Sequence, residues 1–287
     1  MNVLIVNQHS NNFGDDAAGC AFVDILLTFS EVDKIDIIYN SNKKIPVEND
    51  KVRHHLDISF GKVGHKDFIK YYLFERPIKK ASKNRLMHEW IELIKNCDVA
   101  VMSPCGANIG IYKDWASLIR ILMVIIEKKK FIFQYNTIGK SGNFLFDKIA
   151  EYILKRSSVY VREKKSLDYL KTIGINAQWG PDTAFALKPI NDGIRKNVVS
   201  FVPSSFDGWH PEFKKNPIDK KIINLVIPEI AKWMINNNFN LEILPHLKTE
   251  EEHKFNLLIK DKLVELGVEK VMMYGNMIKL LELVDFV

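Results

Sequence analysis

Residues Val3 to Val6 form a continuous apolar run, VLIV, followed by a polar loop from Asn7 to Gly14, a helix-period stretch and a second apolar run at Ile35 to Tyr39. Strands that are apolar at every position are those covered by helices on both faces, so this β-loop-α-β order opens a doubly wound parallel sheet. The helix is expected from Asp15 or Asp16 to about Phe29, with Ala18, Phe22, Ile25 and Leu26 on one face. The alternation then recurs along the chain. Helices are expected around Arg85 to Lys95, Trp115 to Glu127, Phe144 to Leu154 and Ser166 to Ile173, and strands at Val99 to Met102, Phe131 to Gln134 and Val159 to Val161. The polar, weakly periodic stretch from about Ser41 to Ala81 reads as an irregular excursion with a short helix near Asp67 to Phe74.

A chain of 287 residues exceeds what one core of this kind usually serves. The proline-flanked segment Pro181 to Pro189 is the best hinge, giving one Rossmann-like domain at 1–188 and a second at 189–287. In the second domain we expect strands at Val198 to Val202, Leu241 to Leu244 and Lys270 to Met273, with helices at Ile218 to Ile235, Glu250 to Leu266 and Met277 to Leu283. The last residues, Glu282 to Val287, read as a helix end entering a new strand. That leaves a ladder position unfilled, so the expectation is a fragment of a longer protein or a domain completed by a neighbour.

Composition narrows the partners. The formal charge of +6 is spread over lysine pairs and triplets such as Lys128-Lys129-Lys130, without the arginine-aromatic stripe of a nucleic-acid groove. An anionic small substrate, or an acidic lipid surface that carries the acceptor and is touched peripherally, fits the excess at least as well. Cys20, Cys97 and Cys105 show neither a disulfide framework nor metal spacing, so a reducing cytoplasm and no metal or cofactor are expected. Met1 leads straight into a strand, and the longest apolar run, Leu118 to Ile126, is broken by Arg120, so neither a signal peptide nor a membrane span is expected.

Ligands of open α/β sheets gather beyond the carboxyl ends of the strands, which makes the loops there the places to look. Arg162 follows the strand-like SVYV and opens a helix, a position suited to bidentate capture of a carboxylate or phosphate; the plainer reading is a pair with Glu163. Asn12, Gly14 and Asp15 occupy the place of a phosphate loop, but two carboxylates, Asp15 and Asp16, repel phosphate. They serve equally well as helix N-caps, whereas Asn12 and Asp15 could accept from sugar hydroxyls. Asn108, in the loop Ser103 to Gly110, could meet an anion or a sugar, while Cys105 beside it reads as a packed residue rather than a nucleophile. Asp182 suits an Asx turn after Pro181 and is also a candidate substrate contact, with a catalytic role the lesser alternative. His246 ends a second-domain strand and His210 lies in an aromatic loop; both are candidate catalytic groups, and loop histidines are more often solvated and inert.

Three segments together, Asn12-Phe13-Gly14-Asp15-Asp16, Val161-Arg162-Glu163 and Pro181-Asp182-Thr183-Ala184, resemble the polysaccharide pyruvyl transferase family over essentially the whole chain. The resemblance implies an α/β fold of two Rossmann-like domains facing a cleft, as in B-type glycosyltransferases. It also implies transfer of a pyruvyl group from phosphoenolpyruvate to a sugar or lipid-linked oligosaccharide of a cell-surface polysaccharide, with Arg162 holding the donor. The first segment corresponds to an Asn-x-Gly-Asp motif, and the loop with Cys105 and Ala107 departs from the glycine-rich loop expected there. An Arg-Leu-His motif, whose histidine is the implied general acid, belongs just past a boundary like Glu282 to Val287, where this sequence stops. A glycosyltransferase using a nucleotide sugar, or a non-catalytic sugar-binding protein, remains open.

Overall fold

A computed structural model describes residues 1–10, 12–40, 43–56, 65–78, 81–106, 109–187, 197–206 and 218–273. The chain divides into two units, one of residues 1–10 with 14–187 and one of residues 11–13 with 188–287. The expected helix at Met277 to Leu283 and the end at Glu282 to Val287 lie outside the described residues.

The first unit runs β1 (Asn2–Gln8), α1 (Phe13–Leu27), β2 (Lys34–Tyr39), β3 (Val52–His55), α2 (His65–Lys70), α3 (Arg85–Asn96), β4 (Val99–Met102), α4 (Trp115–Ile126), β5 (Lys130–Asn136), α5 (Phe144–Leu154), β6 (Ser158–Val161), α6 (Lys164–Thr172) and β7 (Gln178–Trp179). Its strands form one parallel sheet in the order β3-β2-β1-β4-β5-β6-β7, so the direction of winding reverses between β1 and β4. Alternation along β1 feeds both faces. Leu4 and Val6 join a core with Trp90, Leu118, Ile121 and Phe146 from α3, α4 and α5, whereas Val3 and Ile5 join one with Phe22 and Val23 of α1. Strand β4 divides in the same way, Ala100 and Met102 to the first core and Val99 and Val101 to the second. Each of the larger aliphatic and phenylalanine side chains among them contributes about 1.5–3 kcal/mol when fully buried. That two-sided burial is the physical reason these strands carry no polar alternation.

Helix starts follow their caps. The side chains of Asn84, Asp114 and Asn143 accept from Met87, Ser117 and Phe146 N–H at 3.2, 3.0 and 3.0 Å. Two expectations need correction, and one strand was not expected at all. Helix α1 begins at Phe13, so Asp15 and Asp16 lie within its first turn rather than at the cap. Residues 52–55, placed in the irregular excursion, form β3 on the outer side of β2; only Val52 of Val-Arg-His-His is buried, because an edge strand needs little apolar surface. Strand β7 has two exposed residues and no pattern to read.

The second unit contains β8 (Val198–Phe201), α7 (Ile218–Lys221), α8 (Ile227–Asn237), β9 (Asn240–Ile243), α9 (Glu250–Glu265) and β10 (Val271–Met273), with a parallel sheet in the order β10-β9-β8. The helix expected from Ile218 is continuous but contains a π-helical turn at Ile222–Val226, where Ile227 N–H reaches the Ile222 carbonyl. Pro228 explains it, since proline lacks the N–H of a regular turn and crowds the carbonyl four residues back. Leu241 and Ile243 of β9 pack with Ala231, Met234, Phe255, Ile259 and Leu263 from α8 and α9.

Candidate functional site

Val159 and Val161 of β6 are buried, and Arg162 is the first residue past them, half-exposed at the carboxyl edge. One backbone and one side-chain hydrogen bond bring the next strand's end alongside. Gly180 N–H donates to the Val161 carbonyl at 3.1 Å, and Trp179 Nε1 donates to the Arg162 carbonyl at 3.3 Å. Asp182 therefore arrives beside Arg162. Its Oδ2 accepts from Arg162 Nη1 at 2.5 Å, and its Oδ1 accepts from Ala184 N–H at 2.9 Å, which closes the turn that caps a 3₁₀ segment at Thr183–Ala186. From β5, Thr137 Oγ1 accepts from Arg162 Nε at 3.2 Å. Three consecutive strand ends, β5, β6 and β7, thus fix one guanidinium, while Nη2 makes no hydrogen bond among the described residues.

The plainer pairing of Arg162 with Glu163 does not occur. Glu163 Oε1 instead accepts from Ser166 Oγ at 2.9 Å, and Ser166 Oγ accepts from Ile138 N–H at 2.9 Å, tying the start of α6 to the loop after β5. Gly180 leaves room for a neighbouring ring: a Cβ there would lie 2.4 Å from Cε1 of Tyr135, itself held at φ 51°, so a larger residue would have to displace that ring. Beside the pair, the buried hydroxyl of Thr183 has no partner among the described residues.

A second polar cluster sits at the switch between β1 and β4. Gln8 is buried; its Nε2 donates to the carbonyls of His9 at 2.6 Å and Asp15 at 3.1 Å, and its Oε1 accepts from Ser103 Oγ at 2.5 Å. Asn136 Nδ2 donates to the carbonyls of Ser103 at 2.6 Å and Cys105 at 3.2 Å. Gly14 and Asp15 thus lie at the start of α1, held through Gln8, while buried Asp16 accepts from Ser10 Oγ at 2.7 Å. Cys105 is fully buried and packed. Asn108 lies outside the described residues.

Sequence reasoning missed Arg120, 3% exposed in the middle of α4. Its Nη1 donates to Asn7 Oδ1 at 3.1 Å, to the Tyr39 carbonyl at 3.3 Å and to Asn40 Oδ1. Burial pushes its pKa down to about 10, opposed by Asp114, and it remains charged at neutral pH. The available signal was a lone arginine in an apolar helix. It holds together the carboxyl ends of β1 and β2, where Asn7 adopts φ 61°.

In the second unit, Glu252 in the first turn of α9 is fully buried and accepts from the N–H groups of His246 at 2.5 Å and of Leu247, and from Ser204 Oγ at 3.1 Å. Ser204 Oγ lies 3.2 Å from His246 Nδ1. With its hydroxyl proton committed to Glu252, Ser204 accepts from Nδ1–H, which orients the imidazole. Asn12, grouped with this unit, forms an isolated antiparallel bridge with Leu247. His210 lies outside the described residues.

The sequence profile described as polysaccharide pyruvyl transferase matches residues 12–285. The chain belongs to that family. Membership makes it a transferase of the polysaccharide pyruvyl class, with a sugar or polysaccharide as acceptor. No curated protein sequence matches the chain significantly. A Listeria monocytogenes protein provisionally assigned as a UDP-N-acetylglucosamine 2-epimerase superposes with a TM-score of 0.51 at 11% identity, covering 95% of this chain and 68% of its own. That likeness shows a shared B-type glycosyltransferase fold. Escherichia coli heptosyltransferase WaaC with ADP-2-deoxy-2-fluoro heptose aligns at a TM-score of 0.43 and 12% identity, over 95% of this chain and 76% of its own. Among the described residues of this family member, no three His, Cys, Asp or Glu side chains are grouped to hold a metal, and no helix is long and apolar enough to cross a membrane.

Proposed function

We propose that the protein transfers the pyruvyl group of phosphoenolpyruvate to two hydroxyls of one sugar in a cell-surface polysaccharide or its lipid-linked precursor. Protonation of the enol methylene turns CH₂ into CH₃ and leaves a cationic centre at C2. One sugar hydroxyl adds to C2 and releases its proton; phosphate departs, and the second hydroxyl closes the ketal and releases its own, so that one of the two hydroxyl protons replaces the one placed on the methylene and the other leaves with phosphate. Such a reaction needs a cation for the carboxylate or the departing phosphate and a positioned acid for the methylene. The observation that carries the reading is Arg162, whose Nε and Nη1 are anchored by Thr137 and Asp182. A planar fork held at two points is already oriented for an anion, at little further entropy cost. His246 is the proposed proton donor, its ring oriented by Ser204. Asn12, Gly14 and Asp15 are proposed to contact the sugar, and the reaction is proposed to run in the cytoplasm, where the donor is available.

Titration calorimetry of the full chain with phosphoenolpyruvate, and separately with UDP-sugars, tests this. Binding of phosphoenolpyruvate that is lost in Arg162→Ala is expected. Tight UDP-sugar binding without phosphoenolpyruvate binding would overturn the reading in favour of a glycosyltransferase.

A further inference from the structure

Water-exposed aromatic and aliphatic side chains are normal singly and informative when grouped. On the first unit, the loop after β4 and the outer face of α5 group them. Phe144 is 78% exposed, Ile111 67% and Leu145 59%, with Tyr112 and Tyr152 also exposed. The segments are joined rather than merely near in sequence. Ile109 and Ile138 form a parallel bridge, Gly139 N–H donates to the Ile109 carbonyl at 3.0 Å, and Trp115 packs edge-on against Phe146 with centroids 5.2 Å apart. Phe144, Lys148 and Tyr152 follow at i, i+4 and i+8, so they share one stripe of α5, opposite the buried Phe146, Ala150 and Ile153.

Charge narrows the chemistry that this surface fits. Its exposed ionic side chains are all basic: Lys113, Lys140, Lys148, Lys155 and Arg156. The acids among them are engaged. Asp114 accepts from Ser117 N–H and Oγ, Asp147 accepts from Ser141 N–H, and Glu151 pairs with Lys148 and Lys155. The basic side chains lie over the aromatic ones, Arg156 at 3.7 Å from the Tyr152 ring centroid and Lys148 at 6.0 Å from that of Phe144. A second copy seated here would set cation against cation. A bilayer rich in anionic headgroups matches both features at once, because apolar tips enter the interface while lysine and arginine meet lipid phosphates.

We propose that Ile111, Tyr112, Phe144 and Leu145, framed by Lys113, Lys140 and Arg156, form a docking surface for an anionic bilayer. The docking stands independently of the donor assigned above.

Flotation of the full chain with phosphatidylcholine vesicles, with and without phosphatidylglycerol, tests it, alongside the double variants Phe144→Ser/Leu145→Ser and Lys113→Glu/Lys140→Glu. The native chain is expected to float only with phosphatidylglycerol and to be released by salt. Each double variant should partition at least about tenfold more weakly with its melting temperature unchanged, since removing either two apolar tips that enter the bilayer interface or two interfacial charges is worth that much. Failure of the native chain to float, equal flotation on neutral vesicles, or unchanged partitioning of both variants would overturn the proposal. So would a dimer that Phe144→Ser/Leu145→Ser converts to monomer while no vesicle is bound.

Discussion

Arg162→Lys separates a guanidinium that holds donor from one that merely holds strand ends. The lysine keeps the charge and can still reach Asp182, but it cannot bond Thr137 and an incoming anion from a planar fork at the same time. The structural loss is small. The ion pair is 28% exposed on each side, and pairs of that kind contribute about 1 kcal/mol or less, so Tm should fall by no more than about 2–4 °C. The loss at the ligand is larger, because one charge-assisted hydrogen bond is worth about 2 kcal/mol, or about thirtyfold in the dissociation constant of phosphoenolpyruvate. Calorimetry on the native and variant chains reads it directly. A change of less than about threefold, or roughly 0.7 kcal/mol, would refute the assignment of Arg162 to the donor.

Asp182→Asn is the complementary arm. Asparagine keeps an oxygen for Ala184 N–H, and with it the turn, but removes a negative charge next to the fork. If Asp182 serves to orient Arg162 and not to react, phosphoenolpyruvate binding should hold or tighten by about twofold, since a repelling carboxylate is gone. A loss of binding equal to that of Arg162→Lys would make the carboxylate itself part of the donor site.

Other positions give independent checks. Burial pushes the Asp36 carboxyl up, but hydrogen bonds from His55 and Lys34 outweigh it and hold its pKa below the ordinary value, so its stabilisation is present above about pH 4 and is lost as pH falls through the folded value. Asp36→Asn should accordingly melt below the native chain at pH 7 and converge with it in acid; parallel melting curves at all pH values would contradict that sign. Gly180→Ala drives a methyl into the Tyr135 ring and should cost about 1–3 kcal/mol in urea denaturation, a cost that adding Tyr135→Ala should reduce. Glu252→Gln exchanges one acceptor oxygen for a donor against Ser204 Oγ or a backbone N–H, and should cost about 2–3 kcal/mol; a cost under about 0.5 kcal/mol would mean that the buried carboxylate does not hold the His246 loop.

Elements with a strong local period were legible in the residues, and those made by context were not. Val99–Met102 and Phe144–Leu154 lie where apolar period and an asparagine cap place them. Strand β3 escaped because Val-Arg-His-His has one buried position and forms only through its pairing with β2. Arg162 was legible because it follows a buried strand, and Asp182 because it follows a proline. Their contact was not, since it spans 20 residues and depends on the β6–β7 pairing and on the absence of a side chain at Gly180. Glu252 looked like one of three acids at a helix start, and only burial distinguishes it from Glu250 and Glu251.

The two arginines of the first unit show how structure sorts cations that sequence leaves alike. Each extends toward the carboxyl edge of the same sheet. Arg120 donates to three oxygens from two strand ends and is 3% exposed, so a ligand could reach it only by unfolding the packing of α4 against β1 and β2. Its role is to hold Asn7 and Asn40 in place, and removing it would disturb the edge without removing a contact to substrate. Arg162 is anchored by Thr137 and Asp182 yet 28% exposed, so an anion can approach it from solvent without that disruption. A donor carrying both carboxylate and phosphate needs a cation of the second kind, fixed in direction before it binds and still open to approach.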